Sequence, residues 1–71
     1  MEIPYSFDFA IDRGGTFTDI FCIITDNKKK NEGLTEFQET VVIKLLSENK
    51  SHYEDAPTEG IRKIINMKST I

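Results

Sequence analysis

Gly14-Gly15 separates two runs that each alternate apolar and polar residues, and no other feature constrains the fold as tightly. Phe7, Phe9 and Ile11 alternate with Ser6, Asp8 and Ala10, the period-two pattern of a strand with one face buried. Phe17 to Thr25 resumes with β-branched and aromatic residues, so the chain returns as a second strand. The two glycines tolerate positive φ, which a tight hairpin needs. Asp12 ends the first strand, Thr16 follows the glycines, and Thr18 and Asp19 enter the second. The bend therefore collects a carboxylate, two hydroxyls and bare backbone N–H groups. Glycine lets a backbone approach a phosphate closely, and successive N–H groups form an anion-binding concavity. A carboxylate beside it can hold Mg²⁺ and its waters. A plain hairpin uses the same glycines with no ligand and leaves Arg13 and Asp19 as solvated charges. Spacing alone does not separate the two readings.

Thr40 to Leu46 reads as a third strand. Its near-continuous apolar run predicts burial on both faces, as for an inner strand. Nothing else in the chain covers the second face, which marks the chain as a piece of something larger. Pro57 to about Lys68 reads as a helix, with Pro57 at the first helical position and Thr58 and Glu59 in the first turn. Ile61, Ile64 and Ile65 form an i, i+3, i+4 stripe to pack on the sheet. Gly60 costs ~1 kcal/mol relative to alanine inside a helix, and close approach to a neighbouring backbone accounts for it. Asp26 to Glu39 reads as a polar, mobile loop holding Lys28, Lys29, Lys30 and Gly33. Those lysines are better read as solvated than as an anion site. Ser47 to Asp55 is a polar connection. Pro4 keeps Met1 to Tyr5 from pairing as a central strand. Ser69-Thr70-Ile71 reads as a truncation point rather than a terminus for a peptide groove. The predicted fold is α/β in class, α+β within this chain: a three-stranded antiparallel meander followed by one C-terminal helix.

Seventy-one residues allow one domain. A domain this small buries only ~60% of the surface its unfolded chain exposes, so it is marginal, and an exposed Thr40–Leu46 would favour association. The net charge of −3 argues against a nucleic-acid partner. No basic stretch precedes an apolar run, so no secretory signal is read. Ile20 to Ile24, the longest apolar run, falls far short of the ~20 residues that span a bilayer. Asn49-Lys50-Ser51 matches a glycosylation acceptor by chance. Cys22 is the only cysteine, so there is no internal disulfide and no zinc spacing. It reads as a small core residue rather than a nucleophile, in keeping with a reducing cytosol. His52, the only histidine, has no partner at ligand spacing and reads as a surface residue.

Asp12-Arg13-Gly14-Gly15-Thr16-Phe17-Thr18-Asp19 resembles the N-terminal signature of the hydantoinase/oxoprolinase family. It also looks like the first phosphate-binding hairpin of the actin, sugar-kinase and heat-shock ATPase superfamily. Lys44-Leu45-Leu46-Ser47-Glu48-Asn49, Tyr53, and Asp55-Ala56-Pro57-Thr58-Glu59-Gly60-Ile61-Arg62 are similar to the ATP-dependent 5-oxoprolinase branch in particular. The resemblance covers most of residues 7 to 65 except about Asp26 to Glu39, a gap that family members usually cross with fewer residues. It implies part of an actin-like, ribonuclease-H-like domain in an enzyme that opens 5-oxo-L-proline to glutamate in glutathione turnover, driven by ATP with Mg²⁺. It implies a catalytic role for Asp12 and Asp19, with Asp12 near the metal. Arg13, Gly14, Gly15, Thr16 and Thr18 would bind the nucleotide, and Asp19 would serve as a second acid or orient Arg13. The full-length enzyme would be a cytosolic homo-oligomer. The chain holds one phosphate-binding segment of several, so the alternatives are a weak nucleotide-binding or docking module and a truncated piece without independent function.

Overall fold

A computed structural model describes residues 4–68. The readings of a leader before Pro4 and of the Ser69–Ile71 terminus lie outside the described residues. The elements run β1 (Tyr5–Arg13), β2 (Phe17–Asp26), α1 (Asn27–Asn31), β3 (Gln38–Leu46) and α2 (Ala56–Met67). The strands form one antiparallel sheet in the order β1-β2-β3, and α2 packs on one face, so the meander-plus-helix architecture holds. No helix among the described residues is long and apolar enough to cross a membrane.

Register explains the core. Ile20 stands opposite Ile11 and Ile43, and Cys22 opposite Phe9 and Val41. Alternation then turns Ile20, Cys22 and Ile24 to one face, where they meet Ile64 of α2. Tyr5, Phe7, Phe9, Val41, Ile43 and Leu45 pack around them. Cys22 is a buried free thiol, and burial pushes its pKa up, as a core residue requires. The central strand is β2, not β3. Val42 and Leu46 of β3 stay 58% and 44% exposed, because nothing among the described residues covers the second face. The expectation of an inner strand buried on both sides is therefore corrected to an edge strand partly buried on one.

Asp55 starts α2: its Oδ2 accepts from the Thr58 backbone N–H at 2.9 Å and from the Thr58 hydroxyl at 2.6 Å. The helix buries Ala56, Gly60 and Ile64, while Ile61 is half-buried and Ile65 is exposed. The stripe is thus rotated from the one predicted, and Gly60 is the reason. A Cβ at Gly60 would overlap Ile20 Cδ1 and lie 3.0 Å from Ile20 Cγ1, so only glycine lets the helix settle on β2. The close neighbour is a side chain rather than a backbone. At the other end, Lys68 pairs with Glu39 of β3 and sits 5.3 Å over the Tyr5 ring of β1.

The Asp26–Glu39 connection, read as a loop, carries the short helix α1. Asp26 Oδ1 caps α1 by accepting from Lys29 N at 3.0 Å, and Asn27 N donates to Pro4 O at 2.9 Å. Gly33, with φ +76°, ends the turn. Five polar residues carry no apolar period, so this helix left no pattern to read.

The Thr58 hydrogen bonds, with Arg13 alongside, hold the Asp55 carboxyl below its usual range. Because the folded value lies below the unfolded one, the cap stabilises α2 fully above the unfolded pKa, and that contribution fades as pH falls from 3.8 through the folded value. Asp55→Asn keeps a capping acceptor and removes the titration. Its helical circular dichroism should match the wild type near neutrality and fall less steeply in acid. Superimposable acid titrations would refute the assignment.

Candidate functional site

The turn between β1 and β2 is closed by Gly14 N donating to Phe17 O at 2.9 Å. Neither Gly14 nor Gly15 has positive φ; among the described glycines only Gly33 does. The left-handed turn expected from the glycine pair is corrected accordingly. Gly14 is favoured for a different reason: a Cβ there would crowd Phe17 O at 3.0 Å. A Cβ on Gly15 would meet nothing within 4 Å, so the outer side of the turn is open backbone.

Strand alternation sorts the predicted residues onto two faces. Asp12 stands directly opposite Asp19, and Asp19 opposite Lys44, in one row across the open face at the base of the turn. Both carboxylates are exposed, and neither makes an ion pair or side-chain hydrogen bond among the described residues. Like charges paired across strands repel, and Lys44 on the other side of Asp19 offsets part of that charge. Two carboxylates with open water access suit Mg²⁺, which keeps much of its hydration. No cluster of three acidic, cysteine or histidine ligands occurs among the described residues. The Lys44 ammonium lies 5.0 Å from the centre of the Phe17 ring beside the turn.

Arg13 and Thr18, paired with each other in register, face the helix side. Arg13 donates to Ser47 O at 3.4 Å and lies 3.7 Å from Asp55 Oδ1. Thr18 is fully buried, with its hydroxyl 2.9 Å from Ser47 Oγ. Thr16 is exposed, and its carbonyl accepts from Ser47 N at 2.8 Å. The structure thus brings Asp12, Asp19, Gly14, Gly15 and Thr16 to one accessible corner, with Thr18 buried beneath it and Arg13 exposed on the helix side. Ser47 escaped the reading of individual residues. The signal was a serine directly after the apolar run of β3, inside the segment Lys44 to Asn49. A hollow lined by Tyr5, Asp26, Lys29, Glu36 and Lys68 lies at the opposite end of the sheet and gathers none of these groups.

Residues 8–70 match the hydantoinase/oxoprolinase N-terminal region. The chain is 46% identical over 57 residues to 5-oxoprolinase 1 of Arabidopsis thaliana, covering 80% of this chain and 4% of that protein. It is 45% identical over 58 residues to the 5-oxoprolinase of Saccharomyces cerevisiae, covering 82% and 4%. It is 44% identical over 67 residues to the 5-oxoprolinase of Dictyostelium discoideum, covering 90% and 4%. The chain spans about 4% of the length of these relatives. No solved structure matches it. With its match running through both strands of the turn and into α2, the chain belongs to the hydantoinase/oxoprolinase family, within its N-terminal region.

Proposed function

We propose that this chain supplies the first phosphate-binding turn of an ATP-dependent 5-oxoprolinase, a cytosolic hydrolase opening 5-oxo-L-proline to L-glutamate in glutathione turnover. The observation that carries the proposal is the Asp12–Asp19 pair facing solvent beside the open Gly14-Gly15-Thr16 backbone. The names of the relatives support the substrate and the class of reaction. Bound ATP with Mg²⁺ would supply the phosphoryl group that makes a stabilised lactam carbonyl open to water. The chain's own part is to bind and orient. Backbone N–H groups of the turn donate to phosphate oxygens. Asp12, with Asp19 across from it, holds the metal and its waters. The Thr16 hydroxyl adds a donor at the open edge. Arg13 and Thr18 act through the scaffold, fixing the turn from the helix side. Phosphoryl transfer needs the nucleotide clamped from several directions, and the described residues offer one. The 71-residue chain alone therefore binds nucleotide weakly and turns nothing over.

Gly15→Val tests this reading. No atom lies within 4 Å of the added Cβ and φ is not positive, so the fold should survive. The side chain would instead occupy the space a phosphate needs. In a titration of the 71-residue chain with Mg–ATP followed by backbone amide shifts, the wild type should bind with a Kd on the order of 1 mM, centred on Gly14 to Asp19. The variant should keep its circular dichroism and bind about tenfold more weakly. Wild-type shifts centred on Lys28 to Lys30 instead would overturn the assignment.

A further inference from the structure

We infer that Ser47 is the positioning residue of the glycine turn, a role that rests on the phosphate reading above. Ser47 sits 33 residues beyond Gly14 in the chain and is 4% exposed, yet all its polar groups address the turn and its flanks. Its hydroxyl donates to Gly14 O at 2.7 Å. The same oxygen, 2.9 Å from Thr18 Oγ1, accepts the threonine proton, since its own is committed to Gly14. Its N–H donates to Thr16 O at 2.8 Å, and its carbonyl accepts from Arg13 at 3.4 Å.

The consequence follows from peptide geometry. In a planar trans peptide the carbonyl and the next N–H point in opposite directions. Holding the Gly14 and Thr16 carbonyls on Ser47 fixes both peptide planes and turns the N–H groups of Gly15 and Phe17 away from Ser47. Ser47 thus sets the peptide planes of the turn without touching a ligand. Its own position is secured from β3 and the following connection: Tyr53 Oη donates to Leu46 O at 2.6 Å, and Arg13, bonded to the Ser47 carbonyl, reaches Asp55 at the start of α2.

The test uses the 71-residue chain with Ser47→Ala, Ser47→Thr and Ile43→Val, the last a core truncation away from the turn. Hydrogen exchange at the Gly14 amide, which is bonded to Phe17 O, reports turn opening, and amide shifts report Mg–ATP binding. Ser47→Ala strands the buried Thr18 hydroxyl and frees the Gly14 carbonyl. It should speed Gly14 exchange about tenfold relative to the Ile20 and Cys22 amides and weaken Mg–ATP binding by a similar factor. Ser47→Thr should restore both, and Ile43→Val should change neither ratio. A loosened turn with unchanged Mg–ATP affinity, or effects no larger than those of Ile43→Val, would leave Ser47 a structural residue and overturn the inference. A wild type showing no shifts at Gly14 to Phe17 would overturn the phosphate reading itself, and with it the inference, before any variant is compared.

Discussion

Asp12→Asn, made in a full-length protein carrying this region, should lower ATP-dependent release of glutamate from 5-oxoproline about 100-fold. Asparagine keeps the shape of the side chain and removes one of the two charges that would order Mg²⁺ and its waters. The stability effect should run the other way. Asp12 faces Asp19 directly across the strands, and opposed like charges destabilise a sheet by roughly 0.2–1 kcal/mol. Neutralising one should therefore leave the thermal midpoint level or slightly raised while turnover collapses. That opposition of signs separates a site residue from a structural one. Glutamate and phosphate release, measured beside circular dichroism, reads both. Wild-type turnover in Asp12→Asn would remove the turn from the reaction.

Ile64→Ala should remove a large part of the chain's stability. Ile64 is fully buried against Ile20, Cys22 and Ile24, and truncation of such a residue costs about 2–5 kcal/mol. At the usual stability per residue, a chain of this length has roughly 4–11 kcal/mol in total. Ile65→Ala, one residue on, removes a side chain that is 38% exposed and should cost less than about 1 kcal/mol. Urea unfolding followed by far-ultraviolet circular dichroism distinguishes them. Equal losses would restore the helix stripe that spacing predicted and refute the rotated one.

The strands and helix were legible because period two and period 3.6 are printed in the apolar residues themselves. Ile20, Cys22 and Ile24 alternate, and Ile61, Ile64 and Ile65 repeat on one side of a helix. What spacing did not carry was depth. Gly60 sets how far α2 sinks toward Ile20, and that contact fixes which isoleucine is buried. The same held at the turn. Glycine pairs read as left-handed, whereas here Gly14 serves a tight approach to Phe17 O. The corner of carboxylates and hydroxyls was visible as a cluster in sequence. Its division into an open row, Asp12 and Asp19, and a helix-side pair, exposed Arg13 and buried Thr18, required the register. Ser47 was invisible as a partner of Gly14 because hydrogen bonds spanning 33 residues leave no local trace.

Both ends of the sheet are turns, but they answer to different demands. The ten residues of β2 separate the glycine corner from α1 by roughly 30 Å of strand. The Asp26–Gln38 connection therefore lies where residues can be gained or lost without disturbing the chemistry at the far end. A fluorescent or affinity tag inserted near Gly33 would report on the protein from a distance. The same insertion between Asp12 and Asp19 would destroy what it was meant to observe.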